Sequence, residues 1–147
     1  MWPGDAVNKL AKKVVLATQA VSGATTSSAI DLRNLFGTGK PAAKLFKISF
    51  VSKDTANGAT CAWKIQSSSD DGAVDTYADV TGAFFQLCGT TGASGALIAL
   101  PTSTTTPRDE AYIVDPANLE RYLKIVATPS GATVVIRCVI EAVPQYA

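Results

Sequence analysis

Acids, bases and nucleophiles within reach of one another are what chemistry requires of a chain, and this sequence offers few of them. It contains no histidine. Ser-His-Asp and Cys-His nucleophile activation, HExxH metal sites and the commonest general base near neutral pH are therefore all absent. What remains is carboxylate chemistry, with Asp70, Asp71, Asp75, Asp79, Asp109 and Glu110 as the candidates. A glycosidase needs two carboxyls about 5–10 Å apart, one of them raised in pKa by burial. Asp70-Asp71 stands directly before Gly72, where aspartate accepts backbone hydrogen bonds and tolerates unusual dihedrals, so a solvated turn is expected there. The group Asp70, Asp71, Asp75 and Asp79 also supplies the oxygen ligands that calcium takes, but its spacing departs from DxDxDGx5E. The glycine-rich stretches Gly37-Thr38-Gly39-Lys40 and Gly89 to Gly95 match neither phosphate-binding pattern between a strand and a helix. No catalytic residue, metal site or cofactor is expected.

The three cysteines, Cys61, Cys88 and Cys138, are odd in number and lack CxxC spacing, which argues against a disulfide framework and a structural zinc site. They are expected to act as small buried hydrophobes in a reducing compartment. The one basic patch with an aromatic is Lys9, Lys12 and Lys13 beside Trp2. Nucleic-acid binding asks for a broader basic surface with interleaved aromatics, so these residues are read as a partner-docking arm, with Tyr146 near the other terminus as a further contact residue. The 147 residues carry a net charge of +1, which gives no strong field for nucleic acid or an anionic membrane. No apolar run approaches the ~20 residues of a transmembrane helix. Lys12-Lys13 before Val14 to Val21 faintly imitates a secretory signal, but Thr18 and Gln19 interrupt it, and the segment is read as retained. Charged residues make up 17% of the chain against about 25% in an average soluble domain. A surface so short of charge fits a protein covered by neighbours in an assembly, and a compact monomer with a bland exterior fits it too.

The elements that carry these residues read as short strands punctuated by turns. Residues 1–13 form an N-terminal arm, with a short helix possible over 5–13 behind Asp5 as cap, and residues 14–147 form one domain. Strands are expected at Val14–Val21, Ala29–Arg33, Lys44–Val51, around Cys61, Trp63 and Ile65, at Thr76–Val80, Ala83–Cys88, Ala96–Leu100 and Ala111–Val114, and in the runs Leu119–Thr128 and Thr133–Val143. Phe46, Ile48 and Phe50 alternate with Lys47 and Ser49, and Cys61, Trp63 and Ile65 alternate with Lys64 and Gln66. The turn signal Asn57-Gly58 between these two strands predicts a hairpin. Pro129-Ser130-Gly131 predicts a second hairpin between the last two runs. In the last run Val134, Ile136, Cys138, Ile140 and Ala142 form an apolar face. Val135, Val139 and Val143 share the opposite face with Arg137 and Glu141. That face is too apolar for plain exposure and is expected to be covered in part by a strand, a subunit or a partner. Eight or so such strands without helical periodicity give an all-β, jelly-roll-like antiparallel β-sandwich.

Four segments carry a resemblance: Ser28-Ala-Ile-Asp-Leu32, the turn at Asn57-Gly58, Ile65-Gln-Ser-Ser-Ser-Asp-Asp-Gly72 leading to Tyr77-Ala-Asp-Val80, and Glu120-Arg-Tyr-Leu-Lys-Ile-Val126. Over about residues 14–143 the chain resembles the jelly-roll cement, or decoration, proteins of tailed bacteriophage capsids. The resemblance implies a homotrimer that clamps neighbouring major capsid protein subunits on the virion surface, made in the host cytoplasm and without catalytic residues. The alternatives are a phage tail or fibre component, or a carbohydrate-binding jelly roll with an exposed platform drawn from Trp2, Trp63, Tyr77 or Tyr112. An enzyme ranks last.

Overall fold

The computed structural model describes residues 12–35, 46–54, 58–80, 84–88, 99–100, 108–114 and 119–142. Their strands are β1 (Lys12–Val21), β2 (Thr25–Thr26), β3 (Ile30–Asp31), β4 (Phe46–Asp54), β5 (Thr60–Ser68), β6 (Ala78–Asp79), β7 (Phe84–Cys88), β8 (Ala99–Leu100), β9 (Arg108–Val114), β10 (Tyr122–Ser130) and β11 (Val134–Ala142), with one 3-10 turn at Leu32–Asn34. No helix among them is long and apolar enough to cross a membrane. All pairings among the described residues are antiparallel. One sheet runs β1-β11-β4-β9-β7; the other runs β2-β10-β5-β6, with β3 also on β10 and β8 also on β5. Apart from β2 to β3 and β5 to β6, each successive strand changes sheet, and the order places the first strand beside the last in one layer. That is the winding of a jelly roll, two Greek keys folded into a sandwich.

The alternation seen in sequence makes the core. Phe46, Ile48 and Phe50 of β4 are 0–1% exposed, as are Val134, Ile136, Cys138 and Ile140 of β11. Facing them from the other sheet are Cys61, Trp63 and Ile65 of β5 and Leu123, Ile125 and Ala127 of β10, at 0–2%. Phe50 joins the layers: its ring lies 4.9 Å from Trp63 across the core and 5.9 Å from Tyr112 within its own sheet.

Both predicted hairpins prove to be arches between the sheets. β4 pairs with β11 and β9, while β5 pairs with β10. β10 and β11 likewise lie in opposite sheets. The turn residues are the expected ones, since Gly58 and Gly131 adopt φ of 93° and 95°, a region that disfavours any side chain. A tight turn of this kind serves an arch as well as a hairpin, and the flanking apolar faces then decide. In an arch they meet face to face, which buries both. The two arches also touch, because a Cβ on Gly131 would stand 3.5 Å from the Gly58 carbonyl oxygen.

Lys12 and Lys13 open β1 rather than continuing an arm or a helix. Lys13 stands opposite Ile140, so it sits at a core-facing register position on an edge strand. Two register shifts, between Val14 and Leu16 and between Leu16 and Gln19, break the same strand. An inward charge and bulges both discourage a further strand from adding to that edge. Ile30 and Leu32 are buried, but the strand expected over Ala29–Arg33 ends at Asp31. Its carboxylate caps the 3-10 turn by accepting from the Arg33 amide at 3.0 Å.

Candidate functional site

Three of the carboxylates considered for catalysis, Asp70, Asp71 and Asp75, share one loop, and each is occupied by hydrogen bonds within it. Residues 69–77 connect β5 to β6, and there Asp70 accepts from the amides of Ala73 (3.0 Å), Val74 (2.8 Å) and Asp75 (3.2 Å). Partial desolvation pulls its pKa upward, but the hydrogen bonds from Val74, Asp75 and Ala73 prevail and hold it below the usual carboxylate value. Asp75 accepts from the Ser69 amide at 2.7 Å, and that bond lowers its pKa. Beneath the loop, buried Ser68 donates from Oγ to the Asp75 carbonyl at 2.7 Å and accepts from the Gly72 amide at 2.8 Å. Asp71, at φ 63°, accepts from Tyr77 Oη at 2.6 Å. Desolvation first, then the Asp71 carboxylate, pushes the Tyr77 phenol well above its ordinary pKa. The predicted turn is thus a rigid, acidic loop. At its tip Val74 is 90% exposed.

The outward face of the sheet containing β5 and β10 is laced with internal pairs. Asp79 binds Lys64 at 3.0 Å and Gln66 at 2.8 Å, and those two bonds, Gln66 first, lower its pKa. Lys124 Nζ sits 4.1 Å above the Tyr77 ring. Arg121 grips Asp31 through two bonds of 2.8 and 3.1 Å and lies 4.8 Å over the Tyr122 ring. The Arg121 hydrogen bonds hold Asp31 at a pKa of about 2. Every one of these cations is answered from within the chain.

The outward face of the other sheet differs. Across it Val14 stands opposite Val139, Val139 opposite Ser49 and Ser49 opposite Ala111. Val139 is 5% exposed, so the chain itself supplies part of the cover expected for the odd-numbered face of β11. Lys47 meets Glu141 at 3.8 Å. Beyond them, toward the arches, the face opens into a half-open groove of about 310 Å³ lined by Thr18, Val51, Lys53, Val135, Ile136 and Arg137. Val51 is opposite Arg137, and Lys53 is opposite Val135, which interleaves two aliphatic and two cationic side chains on one surface. Thr18 falls in the second register shift of β1. Lys53 and Arg137 form no ion pair among the described residues. Asp109, opposite Val51 on β9, is exposed and binds neither of them.

Of the predicted contact residues, Lys12 and Lys13 lie at the far end of β1 from this groove, while Trp2, Lys9 and Tyr146 lie outside the described residues. Sequence reasoning missed Lys53 and identified Arg137 only by its strand face. The signal available was the alternation Lys47, Ser49, Val51, Lys53 along β4. Trp63 and Tyr112 are buried at 2% and 3% and offer no platform for a sugar, and Tyr77 is half-buried with Lys124 above it. Burial pushes the Cys61 thiol up to about 11 and the Cys138 thiol higher still. Among the described residues no three His, Cys, Asp or Glu side chains gather to hold a metal.

No protein-family description matches the chain, and no curated protein matches it. Solved structures similar to it are those of infectious bursal disease virus Gt strain (13% identity, TM-score 0.29), of a mutant VP2 protein of infectious bursal disease virus from derived T=1 particles (14%, 0.31), and of its Gx strain (13%, 0.30). These alignments cover 93–94% of the chain and 40–43% of those chains, so it spans about two fifths of their length.

Proposed function

We propose that this protein is a non-enzymatic structural component of a virion, a cement protein that binds the major capsid lattice from outside as a homotrimer. The observation that carries the proposal is the unequal treatment of the two faces. One sheet neutralises its outward charges internally, while the other presents aliphatic side chains with Lys53 and Arg137, which have no ion-pair partner among the described residues, on a strand-built platform. A partner surface that supplies apolar contact and carboxylates completes such a face. The edge strand β1, with its inward lysine and bulges, turns contacts away from strand addition and toward the face. Lys12, opposite Glu141 at the start of β1, lies at the other end of this face, next in sequence to the segment that carries Trp2 and Lys9.

Imaging of the native particle by cryo-electron microscopy tests this. The expected result is one sandwich domain per subunit, in threes, on the outer surface between capsomers. Particles stripped of the protein are expected to lose their contents at lower temperature. Its presence in a tail or fibre, or free in a cytoplasm with a small ligand, overturns the proposal.

A further inference from the structure

Two features of this chain match each other and cannot meet within one copy. The first is the groove, with aliphatic walls at Val51 and Val135 and two cations, Lys53 and Arg137, that no carboxylate among the described residues answers. The second is the loop of residues 69–77. It carries Asp70, Asp71 and Asp75 and no Lys or Arg, and it holds Val74 at 90% exposure on a backbone fixed by its own hydrogen bonds.

Their positions in the fold are opposite. Val134 pairs with Asp54 and Ser130 with Thr60 at the arch end of the sandwich, and Lys53 and Val135 are one residue from it. The loop leaves β5 after Ser68, at the other end of a nine-residue strand. Nine residues of extended chain span about 30 Å. The loop also leaves from the sheet that lacks the groove, so a copy cannot fill its own groove.

We propose that the occupant of the groove is the 69–77 loop of a second copy of this chain: Val74 seats between Val51 and Val135, and the loop carboxylates lie against Lys53 and Arg137. The inference rests on the oligomer proposed above and specifies how it is built. A contact between a loop on one copy and a groove on the next is heterologous, and a heterologous contact closes into a ring when its rotation allows. Each subunit of a trimer then gives one loop and receives one. Because the loop is ordered before contact, little conformational entropy is lost on docking.

Light scattering coupled to size-exclusion chromatography of the full chain at micromolar concentration tests it, with Val74→Arg as one variant and Lys53→Glu with Arg137→Glu as another. Val74 and Lys53 are exposed, and unchanged thermal melts by circular dichroism verify that the variants fold. The wild type is expected to run as a closed oligomer and each variant at monomer mass. An equimolar mixture of the two regains a 1:1 dimer, since the intact groove of one accepts the intact loop of the other, but no ring. Wild-type mass in either variant, a monomeric wild type, or a mixture that stays monomeric overturns the docking. An oligomer indifferent to both variants on particles that still carry the protein overturns the docking and leaves the virion role standing. A docked oligomer absent from particles removes that role alone.

Discussion

Replacing Phe50 by alanine tests the core that fixes the two faces relative to each other. The ring is 1% exposed and spans the layers, 4.9 Å from Trp63 in one sheet and 5.9 Å from Tyr112 in the other. Truncation of a buried phenylalanine to alanine costs about 3–5 kcal/mol from lost transfer energy and the residual cavity. Each lost ring pair adds about 0.5–1.5 kcal/mol beyond area. Trp63 and Tyr112 hold their places through other core neighbours, so the cavity will not collapse fully. The expected loss is about 4–5 kcal/mol, a large part of the roughly 5–15 kcal/mol available to a domain.

Urea unfolding followed by tryptophan fluorescence reads this directly. With a slope of roughly 2 kcal/mol/M the midpoint falls by about 2 M. Phe50→Leu keeps most of the volume and loses the ring contacts, at about 1–2 kcal/mol. A double-mutant cycle of Phe50→Leu with Trp63→Leu, read by circular dichroism because Trp63 is itself the core fluorophore, isolates the contact between the sheets, expected at about 1 kcal/mol. A loss under about 1.5 kcal/mol for Phe50→Ala with unchanged slope, or a coupling of zero in the cycle, refutes the packing of Phe50 between the sheets.

Three further outcomes follow from single features. Asp31 has a folded pKa of about 2 against 3.8 when unperturbed, so its ion pair stabilises above about pH 4 and the benefit is lost as pH falls toward 2. Arg121 is a third exposed, so solvent screens the pair; Asp31→Asn should lower the urea midpoint at pH 7, by less near pH 2, where the folded carboxyl is half protonated, and not at all at about pH 1, and equal losses at pH 7 and at about pH 1 contradict the assignment. Gly131→Ala places a Cβ at φ 95° beside the neighbouring arch and should cost about 1–2 kcal/mol in urea melts, whereas Gly23→Ala, with open space around it, should be neutral within about 0.5 kcal/mol. The thiols of Cys61 and Cys138 are buried with raised pKa values, so mass spectrometry after maleimide treatment should find both unlabelled in the native protein and both labelled in urea. Labelling of either one before unfolding counts against the burial assigned to it.

The sequence was most informative where a residue's role is settled by its own strand. Phe46, Ile48 and Phe50, or Cys61, Trp63 and Ile65, alternate strictly, and the period of two put each on the core face. It was least informative about which strands pair. Asn57-Gly58 and Pro129-Ser130-Gly131 mark reversals, but a reversal within a sheet and one between sheets use the same glycine dihedrals, and the choice rests on partners far along the chain. Lys53 escaped notice for the same reason. Its neighbours in sequence are polar, and its place beside Val135 exists only because β4 lies against β11. The loop was legible as a turn from Asp70, Asp71 and Gly72. Its rigidity depends on Ser68, Asp75 and Tyr77 arriving from both sides of the turn, which spacing alone does not disclose.

The arch topology also bears on why contact would settle on a face rather than an end. Had β10 and β11 paired as a hairpin, Arg137 and Lys124 would have shared one surface and the basic groups would have been spread over it. The arch sends them to opposite sheets. On one, Lys124 stands over Tyr77, beside the Lys64–Asp79 pair; on the other, Arg137 joins Lys53 across β4, and no carboxylate among the described residues pairs with either. Strand positions hold side chains more firmly than loop positions do, so the groove presents its charges in fixed register to the loop proposed to dock there. Each loop-in-groove contact of the proposed ring gains further from closure, because the last contact forms at high effective concentration. In the ring proposed above, substitutions in the groove would therefore weaken the assembly more than the fold of any one copy.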